Sequence, residues 1–126
     1  MAQTGSAVGS ALLDFEKLDV YRVALEFRAL ARPLVRGHRV GALRDQLDRA
    51  STSIVLNIAE GTGRRTSAER AAFYGIARGS AMECAAILDL LDRPGVQAAE
   101  THRHAREKLI RIVQMLSRLV VRYSPV

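Results

Sequence analysis

The residues best suited to chemistry in this chain are arginines. They make up 17 of its 19 basic residues, the other two being Lys17 and Lys108. In the last third, Lys108, Arg111, Arg118 and Arg122 are spaced so that on a helix they fall within about a quarter-turn arc. Arg64, Arg65 and Arg70 form a second group. From Pro94 to the end there are six bases against only Glu100 and Glu107. A planar guanidinium suits phosphate, and a row of them makes a phosphate track. Such contacts give affinity and salt dependence but carry no sequence information. The alternative is a solvated cationic face. The chain has six aromatic residues, and Phe15, Phe27 and Phe73 are expected in the core. That leaves no platform for stacking single-stranded bases, so nucleic-acid binding here is expected to be led by shape and charge.

A second set is polar. Arg49, Ser53, Asn57 and Glu60 recur beside an apolar stripe, with Leu56 among them. They form either a solvated face or a partly buried one whose members need partners. Ser80 and Glu83 are the expected partners, with Arg49–Glu83 the first ion pair to look for. Gly75 and Gly79 lie four apart inside a helical segment, where each costs about 0.5–1 kcal/mol relative to alanine. They are either tolerated surface glycines, a place of close backbone approach by another subunit, or a hinge.

Enzyme signatures are mostly missing. A di-iron bundle uses Glu-x-x-His pairs on facing helices, and no Glu is followed by His three residues on. His102 and His104 point to different faces of a helix, and Glu100 with His104 falls short of a metal set. Gly61-Thr62-Gly63 lacks the lysine of a phosphate loop. Cys84 sits among core positions and reads as an inert thiol, while Ser51 and Ser53 lie on a regular helix. No catalytic residue, metal or cofactor is expected, so a metal-dependent bundle enzyme is the least favoured function.

The elements that must carry these residues follow from apolar periodicity. The length of 126 residues suits one domain, and net charge +6 points to an anionic partner. A flexible tail is expected over 1–13 and a single bundle domain over 14–123. The first helix is predicted over 15–36, with Asp14 as N-cap and two apolar stripes, one for the core and one free for another subunit. Leu18, Tyr21, Leu25 and Ala29 form one stripe; Val23, Phe27, Leu30 and Leu34 form the other. Pro33 should kink or close it, and Gly37 and Gly41 bracket a loop holding His38 and Arg39. The second helix, 42–60, carries Leu43, Leu47, Ala50, Ile54 and Ile58, and Gly61 and Gly63 should stop it. Thr66-Ser67-Ala68-Glu69 has capping-box spacing and should open the third, 67–91. Its buried side is expected to be Phe73, Ile76, Ala77, Ser80, Cys84, Ile87, Leu88 and Leu91. The fourth, 96–122, buries Leu109, Ile112, Val113, Leu116, Leu119 and Val120. No stretch alternates like a strand. The expected fold is all-α, an antiparallel up-down-up-down four-helix bundle. One cysteine excludes an internal disulfide. No segment reads as a membrane span or secretory leader, so the cytoplasm is the expected location.

The run from Leu47 to Gly61, LDRASTSIVLNIAEG, resembles the signature of the bacterial four helix bundle protein family. Phe15–Tyr21 is similar to that family's opening, and Phe73–Glu83 to its third-helix motif. The family includes proteins encoded in intervening sequences of large-subunit ribosomal RNA genes and the accessory variability determinant of diversity-generating retroelements. The resemblance covers about 15–122. It implies a small bundle that assembles as a ring-like homopentamer. In the retroelement branch it also implies a basic ring that binds nucleic acid and a reverse transcriptase, a partner expected only in that genomic setting. Asn57, Glu60 and Glu83 fall on motif positions and read as packing or assembly groups. The expected function is a non-enzymatic oligomeric bundle that binds structured RNA or DNA through arginines. The alternative is a protein–protein assembly adaptor.

Overall fold

The computed structural model of the chain describes residues 11–35, 41–91 and 95–125. After a 3-10 turn at Asp14–Lys17, four helices follow: α1 (Asp19–Val35), α2 (Gly41–Thr62), α3 (Ser67–Leu90) and α4 (Val96–Tyr123). No strand occurs among the described residues. Each helix packs on its chain neighbours, α4 closes back onto α1, and the backbones of the diagonal pairs stay apart. Connections this short force neighbours to run antiparallel, and the result is an up-down-up-down four-helix bundle.

The core is aliphatic and small. Val23, Ala24 and Phe27 of α1 meet Leu47, Ile54 and Ile58 of α2, Ala77, Ala81 and Cys84 of α3, and Leu109, Ile112 and Leu116 of α4. All lie at helical spacing, so each helix turns one stripe inward. The alanines of α3 let neighbouring helices come close. Phe27 is the largest fully buried side chain.

Each of the four seams between adjacent helices also carries a polar clasp. Arg28 Nε donates to Thr52 Oγ1 at 3.2 Å between α1 and α2, and its Nη2 lies 3.5 Å from Asp48. The Ser53 and Ser80 hydroxyls meet at 2.9 Å between α2 and α3. Arg78 Nε donates to Ser117 Oγ at 2.7 Å between α3 and α4. Lys108 Nζ donates to Glu26 Oε1 at 2.9 Å between α4 and α1.

Several boundaries differ from the sequence expectations, each for a local reason. Asp14 opens the 3-10 turn rather than capping α1. Leu18 is extended (φ −84°, ψ 132°) and separates the turn from the helix. The turn is tied by Leu13 N–H donating to Glu16 Oε1 at 2.9 Å. Pro33 lies inside α1, which continues to Val35. The expected loop at Gly37, His38 and Arg39 lies outside the described residues, and Gly41 is already helical. Gly61 is not a stop. It is buried within α2, where an added Cβ would lie 3.0 Å from Phe73 Cβ and 3.1 Å from the Tyr74 ring. The position is glycine because two aromatics of α3 press against it. Neither Gly61 nor Gly63 has positive φ; among the described residues only Gly95 does, at 86°, where it precedes α4. Thr66 caps α3 as expected, its Oγ1 accepting from Glu69 N–H at 3.1 Å.

The inward face of α3 is also rotated from expectation. Tyr74 is buried and Ile76 is exposed, with Phe73 and Ser80 half-buried. Tyr74 can enter the core because its hydroxyl meets Thr62 Oγ1 at 2.8 Å, which supplies the partner a buried phenol needs.

Candidate nucleic-acid interface

One end of the bundle is formed where α2 leaves, α3 begins and α4 finishes. Four of the singled-out arginines lie there, and each is placed differently. Arg64 follows α2. It pairs with Glu60 at 2.7 Å, approaches Glu69 at 4.0 Å, and lies over the Phe73 ring at 4.7 Å. Its buried Nε has no partner among the described residues. Arg70, on the first turns of α3, donates Nε–H to the Arg64 carbonyl at 2.8 Å and lies over the Tyr123 ring at 5.4 Å. Arg122, at the last turn of α4, lies over the same ring at 5.7 Å. Tyr123 in turn stands 5.9 Å from Tyr74, between ring centroids. Arg65 is exposed on the connection.

Along α4, Arg111 and Arg118 are exposed and in line with Arg122. Among the described residues, none of Arg65, Arg70, Arg111, Arg118 and Arg122 pairs with a carboxylate. Arg64 and Lys108 do. Lys108 is half-buried against Glu26, which also pairs with Arg22 at 3.0 Å. The Lys108 ammonium, with help from Arg22, holds the Glu26 carboxyl below the usual carboxylate range. Of the seven basic residues singled out from sequence, five therefore have no carboxylate partner among the described residues, and two are paired within the fold. Periodicity gave no sign of Tyr123 as the ring that gathers two guanidinium groups, or of Arg78 as a seam clasp. Both arrangements need side chains from two helices.

The aromatic rings are mostly taken. Phe27 and Tyr74 are buried, Phe15 stacks edge-on with Tyr21 at 4.8 Å, and Phe73 and Tyr123 carry guanidinium groups. Nothing of the kind that stacks unpaired bases lies open.

The polar set on α2 resolves into local bonds. Asn57 Nδ2 donates to the Ser53 carbonyl at 2.9 Å and to Ser53 Oγ at 3.0 Å. Ser80 meets Ser53 rather than Asn57, and Glu60 meets Arg64. The Arg49–Glu83 ion pair does not form: both side chains are exposed, and neither has an ionic partner among the described residues. Gly75 and Gly79 have no heavy atom within 4 Å of a would-be Cβ. They lie on the outer face of α3, between exposed Ile76 and Met82, and Leu56 of α2 is exposed as well.

The other candidates for chemistry are quiet. Cys84 is buried, and burial, reinforced by the neighbouring Glu83 charge, pushes its thiol up to about 12. His102 is buried with Nε2 at 2.9 Å from the Leu88 carbonyl, whereas His104 is exposed. Ser51 is buried, and its hydroxyl donates back to the Asp48 carbonyl at 3.1 Å. No cluster of three or more His, Cys, Asp or Glu able to hold a metal occurs among the described residues. No described helix is long and apolar enough to cross a membrane.

Fold and surface together define a small all-helical bundle with an arginine-bearing face and end. Within that class the chain belongs to the 23S rRNA-intervening sequence protein family, whose pattern it matches over residues 16–118. No individual curated protein matches the sequence.

Proposed function

We propose that this chain is a non-enzymatic, homo-oligomeric bundle that binds structured RNA or DNA through its arginines. The observation that carries the reading is the line of exposed guanidinium groups at Arg111, Arg118 and Arg122, with exposed Arg65 and half-buried Arg70 at the bundle end, none of them paired with a carboxylate among the described residues. Exposed cations without acidic partners repel one another, and a polyanion relieves that repulsion. The occupied aromatic rings favour a phosphate-led partner over unpaired bases.

Self-association is supported by the outer face of α3. Ala72, Gly75, Gly79, Met82, Ala86 and Leu90 share that face, are exposed, and carry no charge. Arg49 and Glu83, without an ionic partner among the described residues, give it opposite charges to match against another copy. Five copies, the number the family resemblance implies, would raise the charge of +6 per chain to about +30 and deepen the field felt by nucleic acid. A reverse transcriptase is a further partner only in a retroelement setting, and the cytoplasm is the proposed location.

The test is binding of a duplex RNA across a salt series. Affinity should fall steeply with salt, and changing Arg111, Arg118 and Arg122 together to Glu should abolish it. Binding that is flat in salt and indifferent to the triple change rejects the reading. In that case a protein partner that survives nuclease treatment in a pulldown would mark the chain as an assembly adaptor.

A further inference from the structure

We propose that the bundle end around Tyr123 is a site for a phosphate group carrying two negative charges, the terminal phosphate of a nucleic-acid strand, with Arg70 and Arg122 as its donors. The proposal deepens the reading above and relies on it for the identity of the strand. Two guanidinium groups from different helices are drawn to one ring, at 5.4 and 5.7 Å. They can be no farther apart than the sum of those distances. An anion placed between them would ease their mutual repulsion and could take donors from both. Glu60 and Glu69 of this end both pair with Arg64, and among the described residues no carboxylate pairs with Arg70 or Arg122.

The donors are also held in place before any ligand arrives. Tyr123 leans on Tyr74, whose hydroxyl is bonded to Thr62. Arg70 has Nε committed to the Arg64 carbonyl, which leaves its two Nη groups to donate. Holding side chains this way lowers the ordering cost of binding. The ring is occupied by cations, so a base is not the ligand; N–H groups in a guanidinium plane select phosphate. Two uncompensated charges match a phosphate monoester, at roughly −1.5 to −2 near neutral pH, better than the single charge of an internal phosphodiester.

The experiment compares one duplex RNA with 5′-phosphate ends against the same duplex with 5′-hydroxyl ends, by fluorescence anisotropy. The unaltered protein should bind the phosphorylated form on the order of tenfold tighter, the gain of one good charge-assisted contact. Arg70→Gln with Arg122→Gln should erase that preference. Arg111→Gln with Arg118→Gln should weaken both duplexes alike and leave it intact. Circular dichroism checks that each variant is folded. Equal binding of the two duplexes by the unaltered protein overturns the terminal-phosphate site while leaving the surface reading standing. A preference that survives Arg70→Gln with Arg122→Gln also overturns the site. Phosphorus line broadening of inorganic pyrophosphate separates the remaining source. Broadening lost in the double variant, without any end preference, assigns the site to a small phosphate compound and overturns the strand end as its ligand.

Discussion

At the scale of single residues, the same residue type does opposite work according to what lies beside it. Gly61 is a packing position: a methyl there would meet Phe73 and Tyr74 at 3.0–3.2 Å. Gly61→Ala should cost about 1–3 kcal/mol through overpacking. Gly75 and Gly79 face open space, and alanine at either should stabilise an isolated chain by about 0.5–1 kcal/mol. Urea melts of the three variants test the contrast. If Gly79→Ala stabilises the fold yet lowers the mass seen by light scattering, the outer face of α3 is an assembly surface. Cys84 gives a second check. With its thiol raised to about 12 by burial, it should resist iodoacetamide in native buffer at pH 8 and react fully once unfolded.

At the scale of helices, the seams decide pH behaviour. Lys108 and Arg22 lower the Glu26 carboxyl in the folded chain. A lowered carboxylate contributes stability above its unfolded pKa and loses it as pH falls through the folded one. The α1–α4 pair should therefore be intact at neutral pH and fail in the acid range. The pH dependence of the melting temperature should flatten there in Glu26→Gln. The glutamate is solvent-accessible, so the effect should be small.

The helices themselves were legible because their apolar stripes repeat at helical spacing and the Thr66–Glu69 box marks a start. The phase of α3 was not. Periodicity alone placed Ile76 inward, whereas a tyrosine with a waiting hydroxyl partner took the buried position. Gly61 read as a terminator because glycine after an apolar stripe usually is one; its real constraint came from residues twelve and thirteen positions later in the chain. Arg49 and Glu83 looked like partners on spacing, but spacing within each helix says nothing of how α2 and α3 are rotated about their axes. Likewise, the arginine-rich surface was legible in composition and arc, but which arginines stay free was not. That depends on Glu26, Glu60 and Glu69 reaching Lys108 and Arg64.

At the scale of the whole molecule, the free guanidinium groups occupy α4 and one end, while the strip of small and apolar residues runs along α3. Two neighbouring helices thus carry different surfaces, so self-association through α3 would leave the cations of α4 in water. The four clasps have a further consequence. The hydroxyl–hydroxyl and ammonium–carboxylate pairs each sit at only one seam, and the two guanidinium–hydroxyl pairs sit at opposite seams. A bundle wound in the opposite sense, with the same greasy stripes inside, would set Arg28 against α4 and Lys108 against α3 and leave the clasps without their mates. Oil alone does not tell those two windings apart; these four contacts do, and they give the chain a handedness.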